Sequence, residues 1–231
     1  LSDHIVDGPQ ERYHLNWPGK RKALLTANAP ISKTLRPARD ESVNFDTTQN
    51  LFIEGDNLDV LKLLQESYLG KVKLIYIDPP YNTGNDFIYE DDFAESVNEF
   101  LARSNQNDEE GNRMVANPES NGRFHSNWLS MMYSRLRLAK GLLGSEGLMF
   151  ISIGQEEISS LRKIMDEVFG KENYRNCIYV RRGAKSVQAQ FETWERMGSA
   201  FEYILMFSKT PEFRFRQLSR PTDELQSSSW N

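Results

Sequence analysis

The run Asp78-Pro79-Pro80-Tyr81 places a carboxylate, two prolines and an aromatic ring directly after the apolar stretch Val72-Lys73-Leu74-Ile75-Tyr76-Ile77. This grouping suits the holding of a flat heterocycle by its face while its exocyclic amino group is hydrogen-bonded. Such an amine is a poor nucleophile, because its lone pair is delocalised into the ring, and it cannot be deprotonated first at neutral pH. Acceptors aimed at both N–H bonds draw the nitrogen toward tetrahedral geometry and orient its lone pair. The Asp78 carboxylate can supply one acceptor. The carbonyl of Pro79 can supply the other, since consecutive prolines restrict the backbone and aim it outward. Tyr81 offers a stacking face, worth about 1–3 kcal/mol per base. A base reaches such a site only when it is turned out of its helix. The chemistry indicated is methyl transfer onto an amino nitrogen of a nucleic-acid base. A Pro-Pro turn with a helix-capping Asp and a core Tyr is the plain structural alternative.

The elements around the tetrapeptide must position it. Val72–Ile77 predicts a buried strand, and Asn50–Asp56 predicts a second strand ending in Gly55-Asp56. Between them Leu58, Leu61, Leu64 and Tyr68 recur at helical spacing. Strand, helix and strand in this order predict a right-handed parallel crossover. Ligands in such sheets sit outside the carboxyl ends of the strands, so Asp56 and Asp78 could face one cleft. Asp56 serves equally well as a simple helix N-cap. Further along, Ser126–Leu143 predicts a helix with Ser126 as N-cap and Leu129, Met132, Leu136 and Leu143 on one face. Leu148–Ile153 predicts a buried strand, and Ile158, Leu161, Met165 and Val168 mark a helix ended by Gly170. Asn176–Arg181 and Phe201–Ser208 predict final strands, as an antiparallel edge.

Four stretches together resemble a known family. Leu74–Phe93 (LIYIDPPYNTGNDFIYEDDF) is similar to motif IV and its flank in amino-directed DNA methyltransferases. The closer resemblance is to the modification (Mod) subunit of type III restriction–modification systems and related adenine-specific methylases. Trp17–Ala23 (WPGKRKA) and Leu35–Asp56 (LRPARDESVNFDTTQNLFIEGD) resemble that subunit's N-terminal region, and Asn121–Ile153 resembles the helix and strand after motif IV. The resemblance runs from about Tyr13 to Lys209. It implies an α/β, Rossmann-like, S-adenosylmethionine-dependent methyltransferase fold, and transfer of a methyl group to N6 of a flipped adenine in duplex DNA. Carried over by position, Asp78, Pro79, Pro80 and Tyr81 form the target-base site. Asp78 also lies near the donor, and Asp56 sits where the family often contacts the adenine of S-adenosylmethionine. An Asp at the first position of the tetrapeptide fits the adenine-directed members, since cytosine-N4 enzymes usually carry Ser there. The partners implied are duplex DNA, a restriction subunit and, in a complete enzyme, a second copy of the chain. Two departures stand out: Gly154-Gln155-Glu156-Glu157 where many relatives carry Asp-Asp, and Ser134 where Pro is common.

Enzymes of this arrangement carry the tetrapeptide early and a Gly-rich cofactor loop near the C-terminus. The 14 glycines include no Gly-x-Gly. Gly141, Gly144 and Gly147 are at spacing three and read as a helix-to-strand connection rather than a nucleotide cradle. Such a cradle needs glycines so that backbone can approach the ligand. The chain is therefore expected to be a partial methyltransferase domain, lacking the strands with that loop and inactive alone. Residues 1–44 are expected to form an N-terminal arm, and residues 45–231 the partial catalytic domain. Residues 102–122 are expected as a polar loop, and residues 182–199 as the start of a DNA-facing region.

Composition bounds the remaining classes. A net charge of −5 is not that of a self-sufficient DNA-binding domain, although charge can be segregated on the surface. Basic clusters such as Lys20-Arg21-Lys22 read more readily as solvated faces than as phosphate tracks. One cysteine, Cys177, excludes an internal disulfide and suits a reducing cytoplasm. His4, His14 and His125 are dispersed, with no metal-ligand spacing. No apolar run approaches membrane-spanning length. Two other functions compete with DNA methylation. One is methylation of another planar amine, in RNA or a protein glutamine; the other is a degenerate, non-catalytic module that binds DNA or a partner.

Overall fold

A computed structural model describes residues 15–84, 87–89, 114–116, 124–181 and 201–216. Its centre is a four-stranded sheet in the order β1 (Val72–Ile77), β4 (Leu143–Ile153), β6 (Phe201–Ser208), β5 (Tyr174–Arg181). β1 and β4 run parallel, whereas β6 is antiparallel to both β4 and β5, as expected for the final strands. Residues Phe87–Tyr89 (β2) pair with Met114–Ala116 (β3) in a separate antiparallel ribbon. A short strand thus lies inside the stretch 102–122 expected as loop; the rest of that stretch, and residues 182–199, fall outside the described residues.

Period-two alternation decides which face of the sheet is buried. Ile75 pairs with Met149 and Ile77 with Ile151 across β1 and β4. Met149 and Ile151 then pair with Phe207 and Leu205 of β6. Met149, Ile151, Ile153 and Phe207 are all 0% exposed. Helix α3 (Phe124–Leu142) covers this face, packed against α1 (Lys20–Asn28), α2 (Asn57–Tyr68) and α4 (Ile158–Phe169). Leu129, Met132, Leu136 and Ala139 repeat at three- and four-residue spacing on the buried side of α3. Leu161, Ile164, Met165, Val168 and Phe169 do the same on α4, which ends at Gly170 with φ 100. Each fully buried side chain of this size contributes about 1.5–3 kcal/mol, so packing rather than intrinsic propensity holds these helices.

Some expectations change. Asn50–Asp56 is not a strand: no described strand offers it a ladder, and Leu51 and Phe52 are largely exposed. The parallel crossover is instead β1 to β4, with α3 as its helix. Among the described residues β1 is an edge strand rather than a buried one, because it has a single neighbour there and its Leu74 and Tyr76 are exposed. Helix α3 already includes Phe124 and His125, so Ser126 lies inside it; the Ser126 carbonyl accepts from Ser130 Oγ at 2.9 Å. Gly144 and Gly147 belong to β4, beside an irregularity in its register with β1 between Val72 and Leu74.

The segment before the sheet is tied into the same core. Trp17 stacks edge-on against Tyr133 and donates from Nε1 to Ser130 Oγ at 3.0 Å. Lys20, from the basic run Lys20-Arg21-Lys22, pairs with Glu167 of α4 at 2.6 Å. Among the described residues, no helix is long and apolar enough to cross a membrane.

Candidate active site

The parallel β1–β4 pair ends with Ile77 beside Ile151, and the tetrapeptide leaves the sheet at that carboxyl end. Asp78 is exposed there, Pro79 is buried, and Pro80 and Tyr81 are half-buried. Three side chains from this region hold the turn. Ser152, near the end of β4 and 5% exposed, donates its hydroxyl to Asp78 Oδ1. Trp128 of α3, fully buried, donates from Nε1 to the carbonyl oxygen of Pro80 at 2.7 Å. Asn82, also fully buried, takes a left-handed conformation with φ 61 and donates from Nδ2 to Glu157 Oε1 at 2.6 Å. Asn is among the few non-glycine residues that enter this region at modest cost.

Tyr81 lies against the end of β4. A Cβ added to Gly154 would stand 3.1 Å from Tyr81 Cδ2, so glycine leaves the space in which this ring rests. Burial raises the Tyr81 phenol above its ordinary value; a hydrogen bond with Ser152 opposes the rise, and the charges of Glu202 and Asp78 add to it. The phenol therefore stays protonated throughout the neutral range. The arrangement offers an exposed carboxylate and a partly covered aromatic ring on a backbone held from three sides. It can orient an amine and stack a planar ring.

Asp56 does what a helix cap does. Its Oδ1 accepts from the backbone N–H groups of Leu58 and Asp59 at 2.9 and 3.0 Å, satisfying two of the orphan donors at the start of α2. Its Oδ2 lies 3.8 Å from Nη2 of Arg135, which is itself buried in α3 and also binds Asn57. The N-cap alternative is thus present in the structure. Asp78 belongs to the strand end and Asp56 to a helix start.

Ser152, Trp128, Asn82 and Glu157 carry the local geometry; the first three lie within stretches that carry the family resemblance, which assigns none of the four a role. Ser152 and Trp128 sit within apolar patterns where their polar atoms draw no notice. Asn82 directly follows the tetrapeptide inside the Leu74–Phe93 stretch, where its position marks it but its supporting role does not show. Glu157 falls within Gly154-Gln155-Glu156-Glu157, which stands out only as a departure from the family pattern.

Residues 72–230 match the family model described as DNA methylase, N6_N4_Mtase. The EcoPI Mod subunit of a type III restriction-modification enzyme, from Escherichia phage P1, is 42% identical over 212 residues, covering 90% of this chain and 32% of the relative. The EcoP15I Mod subunit of Escherichia coli is 36% identical over 212 residues, with the same coverage of 90% and 32%. The StyLTI Mod subunit of Salmonella typhimurium is 38% identical over 245 residues, covering 100% of this chain and 36% of the relative. The chain spans about a third of the length of these curated relatives.

Proposed function

Since the chain belongs to the DNA methylase family matched by residues 72–230, we propose that it carries the target-base part of an adenine-N6 DNA methyltransferase, the modification component of a restriction–modification system. The mixed α/β sheet, with its parallel β1–β4 pair, fits a partial methyltransferase fold. The observation that carries the proposal is the tetrapeptide at the carboxyl end of β1, with its carboxylate exposed and its backbone pinned by Trp128 and Ser152.

In the proposed reaction an adenine turned out of duplex DNA stacks on Tyr81 and presents its N6 amino group to the tetrapeptide. One N–H bonds to the Asp78 carboxylate, the other to the carbonyl of Pro79. Trp128 engages the Pro80 carbonyl and not that of Pro79, the acceptor assigned to the target. Ser152 fixes one oxygen of Asp78 by its hydrogen bond, so the carboxylate is oriented before the base arrives. Pre-set acceptors of this kind lower the barrier because no reorganisation is needed at the moment of transfer.

S-adenosylmethionine, when bound, supplies the electrophilic methyl group. The residues present fit one side of that molecule: Asp78 is an exposed acceptor at a strand end, while the chain has no Gly-x-Gly to cradle the methionine portion. Asp78 and Asp56 are the groups proposed to face it, although Asp56 is already engaged in capping α2. Duplex DNA is the proposed substrate and a restriction subunit the proposed partner.

The test is labelled methyl transfer by the product of the complete reading frame that includes these residues, offered unmethylated duplex DNA, RNA and protein in parallel. Label in duplex DNA alone supports the proposal. Label in RNA or protein, or none in any of the three, overturns it.

A further inference from the structure

Glu157 is a buried carboxyl that accepts from Asn82 and has no part in the chemistry proposed for the tetrapeptide. It occupies the N-cap position of α4 yet makes no side-chain capping bond. A capping side chain there would add about 1 kcal/mol of helix stability, and Glu157 forgoes it. Its Oε1 instead accepts from Asn82 Nδ2 at 2.6 Å and lies 2.5 Å from His125 Nδ1. Glu157 and Asn82 are each 0% exposed, whereas the His125 side chain is 60% exposed. Among the described residues, Glu157 Oε2 has no hydrogen-bond partner. Burying a carboxyl is costly unless it is well paired, so a helix start alone does not account for one here.

What Glu157 joins does account for it. Asn82 immediately follows Tyr81 and turns the chain through a left-handed conformation. His125 lies in the first turn of α3, and Glu157 lies where β4 hands over to α4. Three elements therefore meet just behind the tetrapeptide. A second contact of Asn82 Nδ2, to the Phe124 carbonyl, is longer at 3.4 Å and correspondingly weaker.

We propose that Glu157, acting through Asn82, is a positioning residue that fixes the backbone of Asp78–Tyr81 for the target amine; this rests on the target-base function proposed above. Ser152 holds the first residue of the tetrapeptide, Trp128 holds the third, and the Asn82–Glu157 bond holds the chain just past the fourth. Releasing that last tie lets the Tyr81 ring and the acceptors move together. A displacement of about 1 Å in a reacting geometry costs roughly 100-fold in rate.

The test uses Glu157→Ala, Glu157→Gln and Asn82→Gly in the product of the complete reading frame. Glycine keeps the left-handed backbone accessible while removing the Asn82 amide, so it serves even where Glu157→Ala fails to fold. Two quantities are read: the NMR amide shifts of Asp78, Tyr81 and Asn82 in the absence of substrate, and kcat and KM for methyl transfer to unmethylated DNA. The expected result is a moved set of amide shifts and a kcat reduced about 10- to 100-fold with KM little changed, for Glu157→Ala and Asn82→Gly alike. Glu157→Gln, which retains an acceptor for Asn82, recovers part of that loss. The Asn82→Gly/Glu157→Ala double variant loses no more than either single variant. Unmoved amide shifts overturn the proposal, and so does an unchanged kcat or a loss confined to KM. Wild-type protein that transfers no methyl group to DNA overturns the target-base function instead, while the amide shifts still decide whether Glu157 sets this loop.

Discussion

The indole N–H of Trp128 donates to the carbonyl oxygen of Pro80 at 2.7 Å, from a ring that is 0% exposed. One residue of the core helix α3 thereby anchors the third residue of the tetrapeptide to the core. Trp128→Phe keeps an aromatic ring but leaves that carbonyl without its donor and part of the indole volume empty. The expected loss of stability is about 2–4 kcal/mol, measured by urea unfolding. A loss below about 1 kcal/mol contradicts the anchoring role.

Ser152→Ala removes the hydroxyl that orients Asp78 from a residue already buried in the sheet. The carboxylate remains but samples more orientations. Methyl transfer by the complete enzyme is expected to slow about 10-fold, the change appearing in kcat rather than in DNA affinity, because hydrogen bonds to charged groups are worth roughly 1.5–3 kcal/mol. Steady-state kinetics paired with a DNA-binding isotherm separate the two.

Tyr81 is proposed to act through its ring. Tyr81→Ala is expected to weaken the hold on the flipped base by about 1–3 kcal/mol, or roughly 5- to 150-fold in kcat/KM. Tyr81→Phe keeps the stacking face and gives up only the phenol hydroxyl. Its kcat/KM is expected to stay within a few-fold of wild type, and a Phe variant as impaired as the Ala variant contradicts the stacking role.

The buried Tyr133 phenol predicts an alkaline limit to stability. Burial raises its pKa above the ordinary 10.0, the hydrogen bond to Glu167 raises it further, and Arg137 opposes both. Below the ordinary value the phenol is protonated in the folded and unfolded chains alike, so its stabilising contribution is fully present. As pH rises past that point the unfolded chain gives up its proton first, and the contribution is lost as pH passes through the raised folded value. Tyr133→Phe lacks this titration. Urea unfolding at neutral pH and at about pH 11 is expected to show a smaller pH-dependent loss in the variant than in wild type.

Much of this architecture is legible in the sequence, for definite physical reasons. The apolar spacing of Ile158, Leu161, Met165 and Val168 specifies a one-faced helix, and at the Gly170 stop the backbone takes φ 100, which glycine adopts freely. The strand before Asp78 is equally clear, because six residues of extended, largely apolar sequence run into Asp-Pro-Pro. The strand expected at Asn50–Asp56 fails for the converse reason: an apolar run acquires a ladder only where a partner strand is present, and Leu51 and Phe52 have none among the described residues. The residues that support the site are hidden because their contacts are long-range. Ser152 and Asp78 are 74 positions apart and Asn82 and Glu157 are 75 apart, separations that no local pattern encodes.

The central claim is that Asp78 receives the amino group of a flipped adenine. Nucleoside mass spectrometry of unmethylated DNA, treated with S-adenosylmethionine and the complete enzyme, tests it directly when wild type and Asp78→Ala are compared. The account predicts N6-methyladenine with wild type, and at least about a 100-fold slower appearance with Asp78→Ala at little-changed DNA affinity. Methylation on cytosine N4, or near-normal N6-methyladenine from Asp78→Ala, would contradict it.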